Sequence, residues 1–139
     1  MHTFISNKGF PLTLIFCLSI GLLLTGCSGG STGTVEGTVN VDGSPINGLE
    51  VEFTPVNGGG PLMGYTANGG KYQLIVGRGN DQVPTGEYKV AIRVFSEDPN
   101  QEAPKFKLGP NYTKIEETEL RGTVNSGENK INFDLDTKK

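Results

Sequence analysis

Between Gly69 and Phe95 the side chains alternate with a period of two. Tyr72, Leu74 and Val76 fall on one face of a first run. Tyr88, Val90, Ile92 and Val94 fall on one face of a second, after a loop rich in Gly, Asn and Asp. Successive residues of an extended chain point to opposite faces, so each run predicts a half-buried strand and not a helix. Two strands sharing one apolar face need a second sheet to cover it, and the flanking segments supply one.

The same alternation extends along most of the chain. Thr34 to Val41 predicts a strand with Val35, Val39 and Val41 inward. Leu49 to Thr54 predicts another, with Leu49, Val51 and Phe53 inward and Pro55 at its end or edge. Leu62 to Ala67 is a short third, turned into the Tyr72 strand by Asn68-Gly69-Gly70, where the Asn-Gly pair is a strong hairpin signal. Glu117 to Val124 places Leu120 and Val124 inward, Asn125 to Glu128 turns, and Lys130 to Leu135 closes with Ile131, Phe133 and Leu135 inward. The longest irregular stretch runs from Ser96 to about Ile115 and holds Pro99, Pro104 and Pro110; loops of that length are often functional. Beyond the N-terminal segment no stretch holds a 3.6-residue apolar period for three turns. Seven short strands with frequent turn signals predict an all-β, two-sheet sandwich.

Composition agrees where it bears on that reading. The 139 residues contain 21 Gly and eight Pro, which suits short strands joined by tight turns. The 12 basic and 15 acidic side chains give a net charge of −3. Without the first 26 residues, which carry Lys8, 11 stand against 15. A mildly acidic chain with no basic face has no electrostatic means of holding nucleic acid.

Residues 1–26 read as an export signal. Lys8 precedes an apolar run from Phe10 to Leu24, which as a helix spans roughly 22 Å at about 1.5 Å per residue. That is short against a bilayer core of about 30 Å and suits a signal segment. The segment ends Leu24-Thr25-Gly26-Cys27, which resembles the bacterial lipobox. The resemblance implies cleavage between Gly26 and Cys27, diacylglyceryl transfer to the Cys27 thiol, and acylation of the new amine. Two or more acyl chains give stable anchoring. Ser28, in place of aspartate, favours the outer membrane by a sorting rule known for some lipoproteins. Residues 27–33 are a Gly/Ser tether, and 34–139 the sandwich. The other cysteine, Cys17, lies in the discarded run, so the mature domain is expected without a disulfide.

A family resemblance rests on Val35-Glu36-Gly37-Thr38-Val39, Asp42-Gly43-Ser44-Pro45-Ile46-Asn47-Gly48-Leu49-Glu50-Val51, Gly70-Lys71-Tyr72-Gln73-Leu74 and Pro84-Thr85-Gly86-Glu87-Tyr88-Lys89-Val90. These segments resemble carboxypeptidase regulatory-like domains, and the ending Gly127 to Leu135 is similar to that of bacterial lipoproteins carrying the module. The resemblance covers nearly all of 34–136. It implies a transthyretin-like (prealbumin-type) sandwich of about seven strands and, its motif residues being turn and core residues, no chemistry.

The residues available for chemistry are few. The single histidine, His2, lies in the signal segment, which leaves the mature chain no Ser-His triad and no histidine base. The histidines and the C-terminal Tyr-Arg-Gly-Ser motif of the transthyretin-like ring-opening hydrolases are missing. Glu50 with Glu52, and Glu117 with Glu119, are carboxylate pairs on strand faces, read as solvated surface in preference to acid/base pairs. Asn80, Asp81 and Glu87 match no calcium loop, and no metal or cofactor is expected. Asn111-Tyr112-Thr113 matches a glycosylation sequon without meaning in a bacterial chain. Among aromatics, Tyr72, Tyr88, Phe53 and Phe133 fit the core, whereas Tyr65, Phe95, Phe106 and Tyr112 are open. Pro110-Asn111-Tyr112 resembles a Pro-x-Tyr segment whose tyrosine pins the loop to the sandwich.

The sequence therefore predicts a non-enzymatic, lipid-anchored envelope sandwich with a structural or protein-interaction role. The alternative is a module binding a polysaccharide or small ligand through the 96–115 loop, with Phe106 and Tyr112 as its rings. A hydrolase is the weakest reading.

Overall fold

The computed structural model describes residues 30–95 and 104–138. Gly26, Cys27 and the rest of the expected signal segment lie outside them, as do residues 96–103 of the long loop. The described elements are β1 (Thr32–Val41), β2 (Ser44–Pro45), β3 (Leu49–Pro55), β4 (Leu62–Tyr65), β5 (Lys71–Gln73), β6 (Val83–Pro84), β7 (Gly86–Val94), α1 (Pro110–Thr113), β8 (Arg121–Val124), β9 (Gly127–Lys130) and β10 (Phe133–Leu135).

They form an all-β sandwich of two sheets. One has the order β4-β3-β7-β8 and is antiparallel throughout. In the other β1 is central. β9 and then β10 run parallel to it along one edge, and β6, β5 and β2 pair antiparallel along the other. The Tyr72 and Tyr88 runs, expected to share a sheet, stand in opposite ones: β5 pairs with β1, β7 with β3. The chain crosses between layers at Thr85–Gly86, so the two apolar faces cover each other.

The core is what the alternation predicts. Val35, Val39, Tyr72 and Leu74 from one sheet meet Leu49, Val51, Phe53, Tyr88, Val90 and Ile92 from the other, all at most 3% exposed. The Phe53 ring sits among Tyr88, Phe133 and Tyr72 at centroid distances of 5.8, 6.1 and 6.4 Å. Burying each large apolar side chain contributes about 1.5–3 kcal/mol, and that packing holds the layers together.

Ten strands stand where about seven were expected, because Ser44–Pro45 and Val83–Pro84 add short pairs to β1 and the last expected strand is divided. The third and fourth expected strands end early, at Tyr65 and Gln73, and further boundaries differ. β1 begins at Thr32, so Thr32 and Gly33 belong to the sheet; a Cβ on Gly33 would lie 2.2 Å from the Asn125 carbonyl oxygen. The expected strand from Glu117 begins at Arg121, because Val90 accepts the Thr118 hydroxyl and donates its N–H to Leu120, outside any regular ladder. The expected Lys130–Leu135 strand is two, and the turn expected through Glu128 is already strand from Gly127.

The break between β9 and β10 has a local cause. The Ile131 carbonyl oxygen presses on Gly37 and accepts the Tyr72 hydroxyl at 2.7 Å. On either side, Ile131 N–H donates to Glu36 at 2.8 Å and Thr38 N–H to the Asn132 side chain at 2.9 Å. Ile131 is left half-buried, and Asn129 is buried in its place. The Asn129 amide donates to the carbonyls of Thr34, Asn125 and Gly127, and its oxygen accepts the Asn125 N–H. A buried polar side chain persists only when so satisfied.

Candidate functional site

β1 fixes the two ends of the sandwich. Its ten residues at about 3.3 Å each carry the chain roughly 30 Å from an entry end to a far end. At the entry end Thr85 N–H donates to the Ser31 carbonyl at 2.9 Å, and the Ser31 and Thr85 hydroxyls lie 2.8 Å apart. β7 starts there and β8 finishes there, since Gly86 pairs with Val124. At the far end lie the last residues of β1, β7 and β10.

The far end carries the exposed aromatic surface. Tyr65 and Phe95 pack with ring centroids 4.6 Å apart at 43°, and Tyr65 is 48% exposed. Val94, assigned inward by its period, is 41% exposed, because it stands opposite Leu49, the first residue of β3, where the layer runs out. Tyr65, Glu50 and Arg93 form one row across the outer face of β4, β3 and β7.

Arg93 organises that row. Its Nη2 donates to Glu50 Oε1 at 2.8 Å and to Glu52 Oε2, its Nε to Glu50 Oε1 at 3.2 Å, and its Nη1 to the Thr113 carbonyl at 3.1 Å. Burial works against the guanidinium charge, but hydrogen bonds to Glu52 and Glu50 outweigh it and raise the Arg93 pKa. The Glu50 and Glu52 side chains are 17% and 13% exposed, so they are not the solvated pair the sequence suggested. A guanidinium shared between two carboxylates and the Thr113 carbonyl ties α1 to β3 and β7. Nothing in the pattern of Glu50, Glu52 and Arg93 announced this, because their meeting depends on strand register.

The rings proposed for the long loop are turned toward the sandwich. Tyr112, on α1, is 6% exposed and lies in the core with Leu108, and Phe106 is half-buried against that core. Pro110 opens α1 at a position where its missing N–H costs nothing. The flat exposed ring of this face is Tyr65, which sequence reasoning left open.

Several further polar groups are engaged structurally. Burial pushes the Tyr72 and Tyr88 hydroxyls up, and each donates to a backbone carbonyl at 2.7 Å, Ile131 and Pro84 respectively. The Thr137 hydroxyl, with help from its N–H, holds the exposed Asp42 carboxyl below its usual range. Asn80 and Asp81 accept hydrogen bonds from Gln82, and Glu87 from Thr123. Among the described residues no group of three or more His, Cys, Asp or Glu is placed to hold a metal ion. At the entry end a cavity of about 340 Å³ opens between the Pro55–Gly60 segment, Leu62, Val76 and Pro84–Tyr88.

No protein-family model matches the chain, and no curated protein does. Among solved structures it is similar to a DUF3823 family protein from Parabacteroides merdae, at 12% identity and a TM-score of 0.45. The match spans 76% of this chain and 46% of that one, less than half of its length.

Proposed function

We propose that this chain is a non-enzymatic, lipid-anchored module of the bacterial cell envelope. In this reading a carboxypeptidase regulatory-like sandwich of the transthyretin type hangs from the acylated thiol of Cys27, with the outer membrane favoured by Ser28, and serves a structural or protein-interaction role. The observation that carries it is the way the chain enters the fold. The residues that follow the tether become β1, and β1 is paired on both edges along its length. Force on the N-terminus loads those ladders lengthwise, many hydrogen bonds at once. The end farthest from the tether presents Tyr65, Phe95 and Val94, an aromatic and apolar surface suited to an envelope protein.

Cys27→Ala tests the anchor. The wild-type chain should enter the detergent phase on phase separation and carry a lipid mass on Cys27; the variant should stay aqueous or unprocessed. Identical partitioning and identical mass would remove the reading. Photo-crosslinking from position 65 in intact membranes tests the far end.

The exposed Tyr65 ring also favours a second reading, a module that stacks a sugar or small ligand at the end where the long loop begins. Loss of glycan binding on Tyr65→Ala supports it. Loss on Phe106→Ala or Tyr112→Ala instead, with unchanged stability, would return the site to the loop.

A further inference from the structure

The cavity at the entry end has a rim unlike the rest of the surface. Pro55, Leu62, Val76, Pro84 and Tyr88 line it, with the polar Asn57, Thr85 and Glu87 among them. Val56, between lining residues Pro55 and Asn57, is 53% exposed, and Ile75, next to Val76, is 38% exposed. Gly58, Gly59 and Gly60 complete the rim without side chains. Isolated exposed apolar residues need no account, but Val56 and Ile75 each adjoin a residue lining this cavity, and apolar surface gathered at one end marks a contact.

The covalent chain says what lies opposite. Ser31 is bonded to Thr85, itself a lining residue. Cys27 is four residues earlier, and at most about 3.6 Å per residue puts it within about 14 Å of Ser31. A lipid on Cys27 therefore brings the bilayer surface to this end of the sandwich and to no other, since the far end is roughly a strand length away. We propose that the entry end beds in the bilayer surface, with Val56 and Ile75 in the interfacial layer and Glu87, at the cavity, kept at headgroup level. This rests on the lipid-anchored reading. Charge does not drive the contact: Arg78 is outnumbered by Asp81, Glu87 and Glu128, so anionic lipid repels this end weakly and the hold is apolar and covalent. The domain would stand upright, presenting Tyr65 and Phe95 away from the membrane.

The chain has no tryptophan, which makes the test direct. Val56→Trp, Ile75→Trp and Tyr65→Trp would each be made in the full, processed chain and reconstituted into phosphatidylethanolamine–phosphatidylglycerol vesicles containing brominated acyl chains. Emission of the Val56→Trp and Ile75→Trp proteins should shift blue and fall at least about twofold, while Tyr65→Trp is unaffected, because tryptophan settles at the interface when it reaches one. Quenching should not fall between about 0.1 and about 0.5 M salt, since screening here removes only a repulsion. Two positions keep the test standing where one variant fails to fold. No quenching at either position, with a lipid mass on Cys27, overturns the bedding and leaves the anchor intact. Quenching that salt abolishes, or a blue shift without bromine quenching, also overturns it, the latter pointing to a second copy or a soluble ligand. An unmodified Cys27 with the protein in the aqueous phase overturns the anchor and the bedding together.

Discussion

Gly37→Ala should be among the most damaging single-methyl changes in this protein. Its Cβ would lie 1.8 Å from the Ile131 carbonyl oxygen, 2.6 Å from the Ile131 carbonyl carbon and 2.9 Å from the Tyr72 ring. Two of those atoms are backbone, locked by the Ile131–Glu36 bond of 2.8 Å and the Thr38–Asn132 bond of 2.9 Å. Relief requires the β9–β10 junction to move off β1, which overpacking alone makes worth about 1–3 kcal/mol. The Tyr72 hydroxyl then loses its acceptor inside the core, adding about 1–3 kcal/mol for an unsatisfied buried donor. A total of about 2–6 kcal/mol is a large part of the roughly 5–15 kcal/mol that holds an ordinary domain together. At about 4–8 °C per kcal/mol for a domain of this size, the melting temperature should drop by at least about 8 °C.

Urea and thermal unfolding, followed by tyrosine fluorescence and circular dichroism, measure the effect. Gly60→Ala is the control, because a Cβ there meets nothing within 4 Å and its φ is not positive; it should stay within about 0.5 kcal/mol of wild type. In a Tyr72→Phe background the Gly37→Ala penalty should shrink, since the hydroxyl term has already been lost. A Gly37→Ala protein as stable as the Gly60→Ala control would refute the reasoning and the register that β9 and β10 make with β1.

The remaining predictions concern charge. Asn129→Asp places a carboxylate against the carbonyl oxygens of Thr34, Asn125 and Gly127, which the native amide satisfies. Ionisation there is disfavoured in the folded state, so the folded pKa is raised and the penalty grows as pH rises through it; the loss relative to wild type should be about 2–4 kcal/mol at pH ~7 and smaller at pH ~4. Asp42 has the opposite sign. Its folded pKa is depressed by Thr137, so its stabilisation is present above the unfolded value near ~3.9 and lost as pH falls through the folded value. Asp42→Asn should abolish that pH dependence, and NMR titration of the carboxyl in wild type should place its midpoint below 3.8, with the protection of Thr137 N–H relative to its intrinsic exchange rate falling on acidification.

What the sequence disclosed was governed by apolar alternation. Val35 and Val39, Leu49 to Phe53, and Tyr88 to Ile92 were legible because each strand is half-buried and carries large side chains inward. Gly33 is equally buried, yet it has no side chain to count, so the start of β1 was read as tether. Asn129 took an inward position that a hydrophobic pattern excludes, which hid the start of β9. The allocation of strands to sheets was not legible, since a seven-residue loop can return beside its strand or cross to the other layer; the crossing at Gly86 decides it. Tyr112 and Leu108 complete the core from a segment without period, and the Arg93 cluster exists only through register. The exposed surface at Tyr65 was left open for the same reason: one ring on a strand does not say whether anything packs over it.

The parallel pairing of β1 with β9 and β10 sets an order of events in synthesis. Val39 meets Phe133, 94 positions later in the chain. The ribosome makes β1 first among the strands and its last partners almost at the end, so one border stays open until nearly all the domain has been translated. Premature termination anywhere before Gly127 leaves that border bare, a template on which stray strands can add. Closure of the sandwich is thus a late event, since β1 is covered on that side only once β9 and β10 have been made.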